Sequence, residues 1–421
     1  MRMKLNKSSQ LLLAAAASLL AAGLLSACAT LTVDFVYVTS AQGSGSYSYG
    51  SIDVFEINSE SGRMRQIPAS PFPSGGRFPV AEAVSTDMTN LYVVNQDDNT
   101  IVQFVIGNDG KLYPVTTVNT PGIYPMGVAF SSNNLFVLDL YQPLPSCSIA
   151  APCSGSISVL PIITTKGVPP SEAPSTTPVS NGSLTYWPLC LYGYTSPTSF
   201  TQCQTGALSA DVIVPTGISV LANGSYAYVS AYDSTASPTV GYIFGFAVAS
   251  TGVLTPLNDG VPVAAGVQLS AVASDSSSSY LYATDSASGN VFGYSIAPTT
   301  GQLSSLAGGA VASGGGPSSV VVDPKYPYAY VANAQDSTVT AFSISSGVLT
   351  RIGAYATGLQ PVAIGIDPST SHFLFTANFL GPNVSGFELN STNGTLLNSQ
   401  FTPYGASAQP NAVAAVPHGV E

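Results

Sequence analysis

The sequence predicts an all-β fold, a seven-bladed β-propeller closed by pairing of its N- and C-terminal strands in one composite blade, and three observations predict it. An aromatic-Val strand recurs seven times, an alternating strand with a Gly-x-Leu-like turn follows each copy, and a Pro-led apolar strand recurs seven times but offset by one. Repeats of this size, each too small to bury its own apolar face, stack into a closed ring.

The aromatic-Val element appears as Tyr37-Val38, Tyr92-Val93, Phe136-Val137, Tyr228-Val229, Tyr282-Ala283, Tyr330-Val331 and Phe375-Thr376. Period-2 alternation follows each copy, as in Val339-Thr340-Ala341-Phe342-Ser343-Ile344, and marks strands packed between neighbouring layers. Turns are expected at Gly62, Gly110, Gly206, Gly252, Gly301, Gly347 and Gly394. The Pro-led strands start at Pro79, Pro125, Pro215, near Leu269, and at Pro317, Pro361 and Pro410. The chain therefore opens on a strand without its Pro-led partner and ends on a Pro-led strand without a successor. Joined, the two halves complete a blade and remove the exposed edges of an open sheet.

Successive anchors lie 55, 44, 92, 54, 48 and 45 residues apart, so one interval is double length. Residues 163–205 offer no aromatic-Val strand and are rich in Pro and Ser, which predicts a long loop within an insertion at about 140–205 rather than an eighth blade. Cys147, Cys153, Cys190 and Cys203 fall in or beside it. Three pairings are open to them; short loops close most readily, which favours Cys147 with Cys153 and Cys190 with Cys203. Their spacing lacks the short paired loops of a zinc site, so no metal and no cofactor is expected.

The first residues carry an address. Arg2, Lys4 and Lys7 precede an apolar run from Leu11 to Leu25 that ends in Leu25-Ser26-Ala27-Cys28, which reads as a cleaved signal with a lipobox. It resembles the bacterial lipoprotein signal, which implies lipidation of Cys28, and Ala29 in place of Asp favours the outer membrane, facing periplasm or exterior. The expected organisation is a signal peptide at 1–27, a lipidated linker at 28–34 and a propeller at 35–417. The processed chain keeps seven basic and 21 acidic residues, a net charge of −14. Its cations are scattered singly, so nucleic acid is excluded as a partner.

Units such as Tyr330-Val331-Ala332-Asn333 and Phe375-Thr376-Ala377-Asn378 resemble the YVTN repeat. The whole layout is similar to the lactonase-type propeller family, which includes 6-phosphogluconolactonase. That resemblance implies a site at the channel mouth and a lactone-hydrolase activity. Enzymes of the family carry charged side chains in Gly-Pro-Arg-His, Cys-His, Gln-Pro-Arg-Gly and Asn-Glu stretches. The corresponding positions here read Gly316-Pro317-Ser318-Ser319, Tyr124-Pro125-Met126-Gly127, Gln360-Pro361-Val362-Ala363 and Asn333-Ala334.

Glu82 breaks the inner-strand pattern, because the other inner strands carry Val128, Ile218, Val320, Ile364 and Val413 at that place. An unpaired buried carboxylate is costly, so Glu82 is expected to face the channel or to pair with Arg77. These two are the candidate catalytic residues. Tyr124, Met126, Thr216, Gln268, Ser318, Gln360, Gln409 and Asn411 are the candidate ligand contacts, suited to a neutral polar molecule such as a sugar. His372, His418 and residues 97–99 read as solvated turn residues, and residues 43–47 as a flexible hairpin loop. The leading functional expectation is a lipid-anchored envelope module, not an enzyme, that binds an envelope protein or a neutral sugar. The alternative is a lactone hydrolase working through Glu82 and Arg77.

Overall fold

The structure, a computed structural model, describes residues 32–41, 49–131, 133–165, 171–180, 182–191 and 211–418. The signal segment with Cys28, residues 43–47, Cys203 and the expected turn at Gly206 lie outside these residues. Seven antiparallel sheets form the fold, six of them running in chain order from an inner Pro-led or Leu-led strand outward. The remaining sheet, the first blade, is composite: Pro410–Pro417 pairs with Thr32–Ser40, which pairs with Ser51–Asn58 and then Met64–Gln66. Tyr37 lies opposite Ala414 and Val38 opposite Val413, so the expected closure holds residue by residue. The inner strands touch one another around the whole ring, Pro410–Pro417 meeting both Pro79–Val84 and Pro361–Ile366. No helix among the described residues is long and apolar enough to cross a membrane.

Blades are joined by their aromatic anchors. Tyr37, Tyr92, Tyr228, Tyr282 and Tyr330 are fully buried between sheets. Four of them donate their hydroxyl to the glycine carbonyl in the next blade's outer turn: Tyr37 to Gly110 at 3.1 Å, Tyr228 to Gly301 at 2.6 Å, Tyr282 to Gly347 at 2.9 Å and Tyr330 to Gly394 at 3.2 Å. The ring two residues earlier, on the same face of the strand, covers the same glycine. At Gly347 the backbone is left-handed (φ +81°), and a Cβ would sit 2.3 Å from the Tyr280 ring. Turn geometry and the neighbour's ring thus demand glycine independently.

Where the anchor is Phe and has no hydroxyl, a second aromatic supplies a donor. In the third blade, behind Phe136, Trp187 Nε1 donates to the Leu254 carbonyl at 2.9 Å. In the seventh, behind Phe375, the Tyr404 hydroxyl, bonded to the Gln400 carbonyl, lies 3.5 Å from the Gly62 carbonyl. Both come from short extra strands, Trp187–Pro188 and Tyr404–Gly405, added to the third strand of their blade.

That arrangement corrects the long-loop expectation for 163–205. Ser171–Pro174 is the fourth strand of the third blade, paired with residues 162–165, so the third and fourth strands of this blade are joined well before residue 206. Trp187, Leu189 and Cys190 are core residues, packed with Phe136, Val159, Phe244 and Phe246. The segment reads as loop because an edge strand of Ser-Glu-Ala-Pro has no alternation to detect. Cys147 and Cys153 form the expected disulfide. Cys190 is also disulfide-bonded.

Removing one hydroxyl by Tyr282→Phe should cost about 1 kcal/mol in a denaturant melt. Gly347→Ala should cost more than about 2 kcal/mol, since it adds left-handed strain to a steric clash. A Gly347→Ala protein as stable as its parent would show that this contact does not join the blades.

Candidate functional site at the channel mouth

Five of the seven inner strands begin with the same device. The residue before the proline is left-handed at Phe78 (φ 50°), Tyr124 (φ 56°), Gly316 (φ 61°), Gln360 (φ 57°) and Gln409 (φ 59°). Its carbonyl is held by an N–H just past the second strand, Gln96 to Phe78, Phe379 to Gln360 and Ala41 to Gln409 at 2.9–3.0 Å. A β-bulge follows in every blade, visible as pairing that skips from Pro79 to Ala81, Pro317 to Ser319 and Pro361 to Ala363. Four non-glycine residues in a conformation that L side chains avoid, all around one opening, are the kind of backbone strain that gathers at functional sites.

The bulge explains what several candidate ligand residues do. Ser318 Oγ donates to the Pro361 carbonyl at 2.7 Å, and Asn411 Nδ2 donates to the Pro79 carbonyl at 3.1 Å. Ser270, which sequence reasoning missed, does the same to the Pro317 carbonyl at 2.6 Å. At three of the seven junctions these side chains stitch one inner strand to the next. Thr216 donates to the Ser230 carbonyl at 3.0 Å, and Met126 packs against the core between the third and fourth blades. That leaves Tyr124, Gln268, Gln360 and Gln409 at the mouth, joined by Phe78. Gln409 Oε1 is buried without a hydrogen-bond partner, and the Tyr124 ring stands edge-on to Tyr141 at 6.0 Å.

The catalytic candidates do not meet. Arg77 belongs to Asp98: Nη2 and Nε each lie 2.6 Å from Oδ1, and the Arg77 backbone N–H donates to Oδ2 at 2.7 Å. Residues 97–99 are therefore a brace rather than a free solvated turn, and Asn99 Oδ1 also accepts the Tyr124 backbone N–H at 2.7 Å. Glu82 does not pair with Arg77, whose partner is Asp98. Its Oε2 accepts the hydroxyl of Thr39 across the seam between the composite blade and the second, while Oε1 is buried with no hydrogen-bond partner. Burial pushes this carboxyl up to about 8, against the opposing pull of the Thr39 hydroxyl and the Ala414 N–H. On the other seam of the composite blade, burial and the neighbouring Asp367 carboxyl push Asp34 up to about 8 as well. His372 is exposed in its turn, and His418 lies 5.3 Å from the Phe35 ring. Among the described residues no three His, Cys, Asp or Glu side chains converge on a metal position.

In several blades a buried Asn or Asp at or near the end of the second strand holds the loop entering the mouth. Asn333 accepts from Ser313 at 2.7 Å, Asp139 from the Gly122 N–H at 3.2 Å, and Asp285 from the Val267 and Gln268 N–H groups at 2.7 and 3.1 Å. The repeat's last letter thus fixes the loop that leads into the mouth.

A seven-bladed propeller with a nearly uncharged mouth is the class that fold and site define. The chain belongs to the lactonase family of seven-bladed β-propellers, whose sequence model matches residues 204–360 and 283–420. No curated protein matches it in sequence. Among solved structures it is similar to a Bacteroides fragilis protein assigned as a 6-phosphogluconolactonase, with 18% identity, 92% of this chain and 99% of that chain covered, and a TM-score of 0.68. It is also similar to the periplasmic gluconolactonase of Pseudomonas aeruginosa, with 16% identity, coverage of 92% and 99%, and a TM-score of 0.66. A Lactobacillus plantarum protein aligns at 14% identity over 92% and 100% of the chains, with a TM-score of 0.66. At these identities the likeness concerns the fold.

Because folding raises the Glu82 carboxyl from about 4.5 to about 8, the folded state holds a proton that the unfolded chain releases. Its contribution to stability is full below pH 4.5 and is lost as pH rises toward 8. Glu82→Gln should therefore gain on the parent by several kcal/mol across that window, with parallel melting temperature curves above it. A constant difference at all pH values would show that this carboxyl ionises normally.

Proposed function

We propose that the protein binds a neutral sugar lactone at the channel mouth and hydrolyses it there. Arg77 carries this reading: a half-exposed guanidinium, aimed by Asp98, adjoins Phe78 and shares the 97–99 brace with Tyr124. A guanidinium so placed can donate to the lactone carbonyl as it becomes an oxyanion. The exposed Asp97 carboxylate can take the proton of the attacking water as the water oxygen bonds to the carbonyl carbon. The ring C–O bond then breaks, and that proton passes to the departing alkoxide. Phe78 and Tyr124 offer faces for a sugar ring. Family membership supports lactone chemistry, and the lack of a second cation beside Arg77 among the described residues supports an unphosphorylated substrate.

A second reading is a binding or interaction module that presents its loops to an envelope protein. It is supported by the dispersal of the two catalytic candidates, Glu82 into a seam and Arg77 onto the rim. In both readings we propose that Cys28 is lipidated and that the protein resides in the cell envelope, at the outer membrane.

Glucono-δ-lactone should be turned over faster than its 6-phosphate, and Arg77→Ala should lower kcat/KM by about 10²-fold. Binding of the neutral lactone by calorimetry without turnover would overturn the hydrolase reading and leave the binding module.

A further inference from the structure

The first described strand enters the propeller at the end opposite the mouth. Thr32 pairs with Asn58, beside the outer turn of the composite blade, and the strand reaches the mouth only at Ser40, opposite Pro410. Cys28 lies four residues before Thr32, and four residues reach at most about 14 Å. Any lipid on Cys28 therefore holds the turn end of the ring close to the headgroups.

That end also carries the cations. Of the six described Lys and Arg residues, only Arg77 lies at the mouth. Arg63, Lys111 and Lys325 occupy turns at the opposite end, and Arg65 and Arg351 sit on outer strands that rise from it. A cavity of about 300 Å³ beside the chain entry is lined by Glu56, Asn58, Ser61, Arg63, Arg65 and Gln400. Next to it Phe401 stands 67% exposed at φ 69°, its ring 5.0 Å beneath the Arg63 guanidinium, and Leu397 is also 67% exposed. Glu56 is engaged by Arg65 and Asp109 by Lys111, which leaves Glu60 on this turn and Glu388, opposite Leu397, as the opposing carboxylates beside the patch. An exposed aromatic and aliphatic pair rimmed by guanidinium groups, within tether reach of an acyl chain, has the chemistry of a membrane-interface contact.

We infer that the propeller stands turn-end down on an anionic phospholipid surface, with Arg63 and Arg65 on headgroup phosphates, Phe401 and Leu397 in the interface, and the mouth facing away. This rests on the reading that Cys28 is lipidated. The test uses the full lipidated chain in vesicles of phosphatidylglycerol and phosphatidylcholine that contain a brominated lipid. Tryptophan introduced as Phe401→Trp should be quenched beyond the parent, whose Trp187 is buried, while Leu380→Trp at the mouth end should not. Adding Arg63→Glu to Phe401→Trp should weaken quenching in these vesicles more than in pure phosphatidylcholine. Quenching at 380 as strong as at 401, or at neither, overturns the orientation. Labelling with radioactive palmitate separates the two failures. Without label on Cys28 the anchoring reading fails and takes the inference with it; with label but no quenching at 401, only the inference fails.

Discussion

A tyrosine of one blade resting on a glycine of the next is the contact on which this structure depends. A propeller sheet has little contact with any but its two neighbours, so the ring is only as well ordered as the interface that repeats around it. That interface combines apolar burial with one directed bond. The burial favours stacking at any angle, and the hydroxyl-to-carbonyl bond selects one. The third and seventh blades show how far the arrangement is kept, since loss of the hydroxyl at Phe136 and Phe375 coincides with Trp187 and Tyr404 on extra strands.

The same economy governs the channel. Sheet faces are consumed by neighbours, so inner-strand side chains are mostly drawn into seams and the mouth is built from the residues just before each inner strand. Glu82 shows the consequence. A position that looks like a lining position along the strand is a packing position in the ring, and a carboxyl placed there is driven to keep its proton. In the proposed reading, recognition is left to the left-handed residues and the 97–99 brace, where backbone geometry aims side chains.

The ring was legible in the sequence because its determinants are local and repeated: aromatic-Val pairs, glycine turns and Pro-led strands at a near-constant interval. Closure was legible as a mismatch of phase between the first and last strands. What the repeat could not convey was anything done once. Ser171–Pro174 has no alternation, and Trp187 is a lone aromatic in a Pro- and Ser-rich stretch. The bulges were hidden too, so Ser318 and Asn411 looked like free hydrogen-bonding groups when each is bonded to the adjacent blade. The pairing of Arg77 with Asp98 joins residues from two different loops, which strand periodicity does not encode. The final Asn of Tyr330-Val331-Ala332-Asn333 was visible as a motif, but its work as a loop clamp appears only in three dimensions.

Sharing one blade between the two chain ends sets an order of assembly. Synthesis delivers Thr32–Ser40 first and its inner partner Pro410–Pro417 last, so one edge of that sheet waits for almost the entire polypeptide. Six sheets can form from contiguous stretches as they emerge, whereas the composite one carries the largest loop-closure entropy in the molecule. A ribosome that stalls before residue 410 leaves an open arc with a bare strand at one end, the kind of edge that recruits other chains. Truncation at the C-terminus should therefore be read out as aggregation rather than as loss of a tail.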